Sequence, residues 1–305
     1  MTTLSLPTLR AAFGDKLQEN VSLAAYTSAR IGGKADALIV ANSADELTEI
    51  IAKLWEMDIP YLVLGGGSNL LISDVGFPGV TVLNKAKAIR FVEDEAPSVL
   101  VESGVTMSRL ANQAATKGLA GLEWAATVPG TVGGAVYGNA GAFGGDMAGS
   151  LLHLELLTQN GREYWDVSAL EYAYRSSKLK RDAIKCAILS AELKLTNGEQ
   201  AEIQERMRAF IQKRKLTQPP GASMGSMFKN PEGDFAGRLI EDAGLKGTRI
   251  GNVEISTKHA NFFVNHGETK ASDVIALIEL TQKTVFEKFG EKLELEIEII
   301  GKAHE

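Results

Sequence analysis

The sequence predicts an α+β fold divided between more than one domain, and three observations carry that expectation. A chain of 305 residues exceeds the roughly 100–150 of a typical single domain. Segments with strand and helix periodicity alternate along it, yet hairpin signals stand among the crossovers, which argues against a doubly wound parallel sheet. Apolar residues make up 45% and charged residues 23%, the balance of a protein that buries a core.

Taken in order, the first unit is strand, helix, strand: "ADALIV", "SADELTEIIAKLWEMD" and "PYLVLGGGSNLLIS". Ser43, with Glu46 three residues on, reads as a capping box, and Leu47, Ile50, Ile51 and Leu54 recur at helical spacing. Strands follow at "VTVLN" and "SVLVESG", then a helix through "TMSRLANQAATKG" that stops at a glycine. The stretch "GLEWAATVPGTVGGAVYGNAGAFGGDM" is too rich in glycine for regular structure over much of its length. "LLHLELLTQNGREYWDV" reads as a hairpin turning at Asn160 and Gly161, a pair suited to a type I′ turn. "AILSAELKL" is a strand and "EQAEIQERMRAFIQKRKL" a charged helix, with the domain boundary expected near residues 197–202. A helix at "DFAGRLIEDAG", strands around "RIGNVEIS" and "ANFFVN", a long helix at "ASDVIALIELTQKTVFEKF" and a final strand "LELEIEIIG" complete the chain.

Composition excludes several function classes. The net charge is -6, with no lysine- and arginine-rich run, so nucleic acid and anionic lipid are not expected partners. No apolar run approaches the ~20 residues of a membrane span, and the N-terminus lacks the pattern of a signal peptide, which makes the cytoplasm the expected location. One cysteine, Cys186, rules out an internal disulfide and a Cys-rich zinc site, and its apolar surroundings predict a buried strand residue. No metal is expected.

Two glycine loops point to a ligand. "LGGGSNLLISD" puts glycines and a serine directly after a strand, where bare backbone N–H groups can approach a phosphate. Alone it is equally a turn. "VPGTVGGAVYGNAGAFGG" is longer than an ordinary connection, and its interleaved Val128, Val132, Val136, Tyr137 and Phe143 argue against disorder. Two such loops suggest a large dinucleotide.

The segments "TSARIGGKAD", "LGGGSNLL", "GLEWAATVPGTVGGAVYGNAGAFGG", "YAYRSS", "GSMFKNP" and "KHANFFVN" occur in this order, and together they resemble the UDP-N-acetylenolpyruvoylglucosamine reductases over nearly the whole chain. The resemblance implies an FAD-binding domain of the vanillyl-alcohol-oxidase type and a smaller α+β substrate domain. It assigns residues 1–28 to an N-terminal segment, 29–198 to the FAD domain with lobes of about 29–85 and 86–198, and 199–305 to the substrate domain. It implies a cytoplasmic enzyme, expected to be a monomer, that reduces UDP-N-acetylglucosamine enolpyruvate with NADPH in peptidoglycan precursor synthesis. Gly65, Gly66, Gly67, Ser68 and Asn69 would wrap the FAD pyrophosphate, and Gly130, Thr131, Gly133, Gly134 and Asn139 would line its other side.

The same resemblance distributes the chemistry. Arg175 would bind the substrate carboxylate and stabilise an enolate, as a permanently charged, two-pronged guanidinium can. Ser226 would donate a proton to the enolate carbon. Glu296 would assist, and Lys215 and Asn230 would contact the substrate diphosphate. The chain has Leu179 where the family often has Phe and Leu295 where it often has Pro, and the short passage from Arg175 to Ser226 matches the subgroup without an extra tyrosine-bearing loop. From the residues alone, Ser226 and Ser223 are turn hydroxyls, Arg175 belongs to a solvated face, and pattern does not choose among Glu294, Glu296 and Glu298. His259, beside an apolar strand, reads as structural. A flavin oxidase of related fold and a UDP-sugar-binding module without chemistry remain open as alternatives.

Overall fold

The computed structural model describes residues 5–301. The chain forms two compact units. The first gathers the segment ending at Lys16 with Ile39–Gly66 and Thr81–Arg214; the second gathers Leu17–Leu38, Gly67–Val80 and the chain from Lys215 onward. These units are interleaved in sequence, unlike the continuous domains expected above, because the chain changes unit inside the strands Lys34–Ala41 and Phe77–Asn84. Most of the helix Gln200–Thr217, expected to open the second domain, packs in the first unit, where its Ile203 and Met207 join the core.

The first unit is built on a five-stranded antiparallel sheet in the order Gly161–Asp166, Leu151–Thr158, Ala187–Lys194, Ser98–Glu102, Ile89–Val92. Its core gathers Leu154, Leu156, Ala191 and Leu193 from the sheet with Leu110, Ala111 and Ala114 of the helix Met107–Thr116. Each large aliphatic side chain so buried stabilises the fold by about 1.5–3 kcal/mol before entropy is counted. Leu47, Ile50, Ile51 and Leu54 are all buried on the helix Ala44–Glu56, as their spacing predicted. Its capping box is only half realised: the Ser43 hydroxyl accepts from Glu46 N at 3.1 Å, but the Glu46 carboxylate accepts from Asn42 N at 2.8 Å instead of reaching back to Ser43.

Three local expectations change. The hairpin turns on Gln159 and Asn160, since Thr158 pairs with Gly161, and only Gly161 has a positive φ, of 108°. The turn therefore follows the bulged pattern with a left-handed glycine after it, not the type I′ pattern on Asn160 and Gly161. Within the glycine-dense stretch, Val132–Gly138 is helical, because Val132, Ala135 and Val136 bury into the core and offset the low propensity of its glycines. Cys186 is half-buried and lies just ahead of the strand Ala187–Lys194; burial pushes its thiol up to about 11, so it is a poor nucleophile.

The second unit centres on the antiparallel strands Arg249–Ile250, Val253–Ile255 and Phe263–Asn265. The helix Ala271–Phe289 contributes Val274, Leu277, Ile278 and Val285 to the same core, beside Phe228 and Met227. The Asp74 carboxylate accepts from Ala271 N at 2.6 Å and Ser272 N at 3.0 Å, holding a negative group against the positive end of that helix. The final segment is not one continuous strand. It bends at Glu296 and Ile297, then runs as Glu298–Ile300 parallel to Leu70–Ile72. Its burial alternation breaks accordingly, with Leu293 and Ile297 buried but Ile299 36% exposed.

Candidate functional site

In the first unit, the glycine-dense stretch and the segment carrying Arg175 are tied together. The Tyr172 hydroxyl donates to Val136 O at 2.9 Å, the Ser177 hydroxyl to Tyr137 O at 2.6 Å, and Asn139 Nδ2 to Ala173 O at 3.0 Å. Arg175 Nη2 donates to Gly141 O at 3.0 Å. Arg175 itself has φ 53°, a left-handed conformation that costs a non-glycine residue about 1–2 kcal/mol. Such strain persists only where surrounding bonds over-determine it, and these four do. The guanidinium also lies over the Tyr174 ring, 5.3 Å from its centre. Tyr172 and Ser177 escaped the sequence reading, although both stand inside the quoted "YAYRSS" motif. Burial pushes the Tyr172 phenol up, so it stays a donor at any ordinary pH.

The glycines carry the fit to a flavin dinucleotide. A Cβ on Gly65 would stand 2.3 Å from Thr131 Oγ1, so the two glycine loops meet at van der Waals distance only because position 65 has no side chain. Gly134 and Gly138, four apart on the helix Val132–Gly138, behave differently. A Cβ on Gly134 would meet nothing closer than 3.9 Å, and one on Gly138 nothing within 4 Å, so a bare strip of helix surface is left open. That is the surface a flat ring and its phosphates need. Gly133 is spent on packing: its N–H donates to Ser103 O at 2.9 Å, and a Cβ there would stand 3.0 Å from Ser103 Cβ. Asn139 is buried, with its Oδ1 accepting from Ala148 N, so both ends of its amide serve the fold. Gly130, with φ 99°, makes the turn into the helix, and its carbonyl accepts from Met107 N.

Gly65 and Gly66 close a segment of the first unit, and Gly67, Ser68 and Asn69 open one of the second. Gly67 has φ 56°, and a Cβ there would stand 2.3 Å from Tyr26 O. Ser28 N donates to Gly67 O, and the Ser28 hydroxyl to Ser68 Oγ at 3.1 Å. Asn69 turns to the end of the chain: its Nδ2 donates to Glu296 O at 3.0 Å, and its own carbonyl accepts from Glu298 N at 2.9 Å.

The Ser226 segment lies between two partners. On one side Ser226 bridges Phe262 and Met227 N donates to Asn261 O at 2.8 Å. On the other, Glu296 N donates to Met227 O at 2.9 Å and Lys229 N to Glu294 O at 2.8 Å. Phe228 thus pairs with Leu295 and Met227 lies opposite Glu296, so the segment that carries Ser226 runs antiparallel to the one that carries Glu296, 70 residues on. Buried Asn261 completes the arrangement, accepting from Phe228 N at 2.9 Å and donating to Phe228 O at 2.8 Å, so one amide does the work of a strand edge. The sequence reading passed over it inside "KHANFFVN".

The remaining candidates lie in the second unit. Asn230 is exposed, and its Oδ1 accepts from Ala236 N at 3.1 Å at the start of the helix Ala236–Asp242. Lys215 is exposed near a helix end, and its carbonyl accepts from Lys258 Nζ. Lys229 is taken up by an ion pair with Glu294 at 3.2 Å. Ser223 has no place in the pairing with Glu296. His259 packs edge-on against Phe262 and accepts from Asn261 N; burial, aided by Lys246, holds its imidazole below the ordinary value. Among the described residues, no group of His, Cys, Asp and Glu could hold a metal.

Comparisons with known proteins bear on the whole chain. Residues 215–300 match the family model of the UDP-N-acetylenolpyruvoylglucosamine reductase C-terminal domain, and residues 35–165 match an FAD binding domain. A UDP-N-acetylenolpyruvoylglucosamine reductase of Chloroflexus aurantiacus is 43% identical over 284 residues, which is 91% of this chain and 95% of that one. The enzyme of the same name from Rubrobacter xylanophilus is 43% identical over 276 residues, 90% of this chain and 92% of its own. The crystal structure of UDP-N-acetylenolpyruvylglucosamine reductase from Thermus caldophilus superposes with a TM-score of 0.79 at 35% identity, covering 92% of this chain and 98% of that one.

Proposed function

Because the chain belongs to the UDP-N-acetylenolpyruvoylglucosamine reductase family, we propose that its glycine cradle, Arg175 turn and Ser226 segment divide one reductive reaction among them. The protein is an FAD-dependent oxidoreductase that reduces UDP-N-acetylglucosamine enolpyruvate to UDP-N-acetylmuramate with NADPH, in peptidoglycan precursor synthesis. FAD, when bound, supplies the hydride chemistry between NADPH and the enolpyruvyl carbon.

Gly65, Gly66, Gly67, Ser68 and Asn69 would hold the cofactor's pyrophosphate through backbone N–H groups, and Gly130, Thr131 and Gly134 would line its other side, Gly134 leaving the helix surface open. Gly133 and Asn139 support that surface from behind. Arg175 binds the substrate carboxylate with two N–H groups and stabilises the negative charge that develops there, its orientation fixed in advance by Gly141 O. Preorganisation of this kind matters because the charge then forms against a dipole that need not turn.

Ser226 delivers a proton to the carbon that carries the developing charge. A hydroxyl is a weak acid, but a carbanion is a strong enough base to take its proton. Glu296 stands beside it to assist, and Asn69 fixes the backbone that carries Glu296. Lys215 and Asn230 contact the substrate's diphosphate, one as a point charge and one as an amide donor. The observation that supports this assignment is the hydrogen bond from Glu296 N to Met227 O, which ties the backbone next to Ser226 to the segment that carries Glu296.

Among the described residues, no helix is long and apolar enough to cross a membrane. The reading places the enzyme in the cytoplasm, where its substrates NADPH and the UDP-sugar are found, as a monomer. Anaerobic half-reactions test it: enzyme reduced by NADPH reoxidises on adding UDP-N-acetylglucosamine enolpyruvate. A flavin that stays reduced would remove the proposal.

A further inference from the structure

The first unit contains a cavity that none of the residues above occupies. It has a volume of about 290 Å³, and its charged lining residues are Lys85, Lys87 and Arg109. No carboxylate lines it. Some cations of the first unit sit in ion pairs, as Arg162 does with Glu155 and Arg206 with Glu123, whereas these three make none with a described residue.

Carboxylates on adjoining stretches are already committed. Glu102 accepts from Ala44 N at 2.8 Å and Ala88 N at 2.7 Å, and Glu46 accepts from Asn42 and from Lys16. The helix Met107–Thr116 starts at the cavity wall, with Thr106 as its cap and no acidic residue in its first turn. Arg109 stands in that turn instead, a cation at the positive end of a helix, where like charge is unfavourable. Three cations and a helix N-terminus therefore gather in one concave place whose own lining holds no carboxylate, with Glu46 and Glu102 bonded to adjoining backbone.

We propose that this cavity is a binding site for a small phosphate-class anion, inorganic phosphate or pyrophosphate. Its volume lies at the lower end of the roughly 300–1,000 Å³ of ligand pockets, which suits a small oxyanion better than a whole nucleotide. Lys85 and Lys87 approach from one strand end, Arg109 offers a planar fork, and the Thr106 hydroxyl, which accepts from Arg109 N, keeps its own proton to donate. None of its lining residues is among those proposed to act in the reduction, although Thr106 bridges Thr131 and Val105 O accepts from Val132 N, so binding is measured on the FAD-loaded protein without turnover.

Calorimetric titration of the FAD-loaded protein with phosphate, and separately with pyrophosphate, tests the site at low ionic strength. Saturable binding is expected for at least one anion, weakening with added salt. Lys87→Gln and Arg109→Gln should each weaken it about tenfold or more, while Lys283→Gln, on a helix of the second unit, should not. Lys85→Gln and Lys87→Gln change exposed side chains, so they keep the test sound if Arg109→Gln fails to fold. Stronger binding of phosphate than of pyrophosphate would identify the monomeric anion as the occupant, and the reverse order the dimeric one. The proposal falls if neither anion saturates the protein in the millimolar range. It falls equally if the three pocket variants bind as well as the native protein, or if Asn230→Ala abolishes binding in their place.

Discussion

Asn261→Ala is the most informative single perturbation of the second unit. Asn261 is 3% exposed and makes two hydrogen bonds to the backbone of Phe228, itself fully buried. Truncation would strip partners from both the Phe228 N–H and its carbonyl. Each buried group left unsatisfied costs about 1–3 kcal/mol, so the pair predicts a loss of about 2–5 kcal/mol after partial relaxation. At roughly 3 °C per kcal/mol, the melting temperature should fall by ~5–15 °C. Because residues 226–229 are held between Asn261 and the chain at Glu294 and Glu296, the loss should also loosen Ser226 against Glu296. Thermal unfolding of the flavin-loaded protein checks the first claim, and stopped-flow measurement of the two half-reactions the second. Flavin reduction by NADPH should change little, while reoxidation by the enolpyruvyl substrate slows. Asn261→Asp, which keeps the acceptor for Phe228 N but sets a carboxylate against Phe228 O, should be nearly as harmful. A drop below about 1 kcal/mol for Asn261→Ala, with both half-reactions intact, would refute the idea that this amide organises the Ser226 segment.

Ser226→Ala should leave NADPH-driven flavin reduction near native while substrate turnover falls by two or more orders of magnitude, about 10²–10⁴ for a lost general acid; equal damage to both steps would make Ser226 structural. Gly67→Ala places a Cβ 2.3 Å from Tyr26 O at φ 56°, so purified protein should carry less FAD per polypeptide by absorbance, whereas Gly138→Ala, with nothing within 4 Å, should fold normally and lower only flavin affinity. Arg175→Lys keeps the charge but loses the fork held by Gly141 O; its substrate KM should rise and kcat fall, with flavin content unchanged. His259 has an imidazole held below its ordinary value of about 6.5, so the unfolded chain binds the proton more readily. Its contribution is therefore complete above pH ~6.5 and is lost as pH falls through the lower folded value; His259→Gln should flatten stability in that acidic window, and an unchanged pH profile would contradict the assignment.

The order of the elements was legible because it rests on local chemistry. Helical spacing placed Leu47, Ile50, Ile51 and Leu54 on one buried face, and Ser43 marked the helix start. Local signals failed where packing outweighed them. Val132–Gly138 is helical despite its glycines because three of its side chains reach the core, and the hairpin turned one residue earlier than Asn160 and Gly161 suggested because strand register fixed the pair Thr158 and Gly161. The alternation of residues 293–299 likewise pointed to one strand, but the chain changes partners at Glu296 and bends there.

Sequence alone settled that this is an α+β chain with two glycine loops, and the combination of its motifs identified the family, since glycine content, periodicity and motif order are properties of neighbours along the chain. Only the tertiary structure decided that Asn69 turns its amide to the Glu296 carbonyl, that Asn261 substitutes for a strand edge at Phe228, and that Lys85, Lys87 and Arg109 converge on one cavity. The physical reason is that these meetings depend on which backbone groups and which charges remain unsatisfied after the local elements have formed. No residue carries that information in its own type. It arises when residues distant along the chain must share one core and every buried N–H and carbonyl must find a partner.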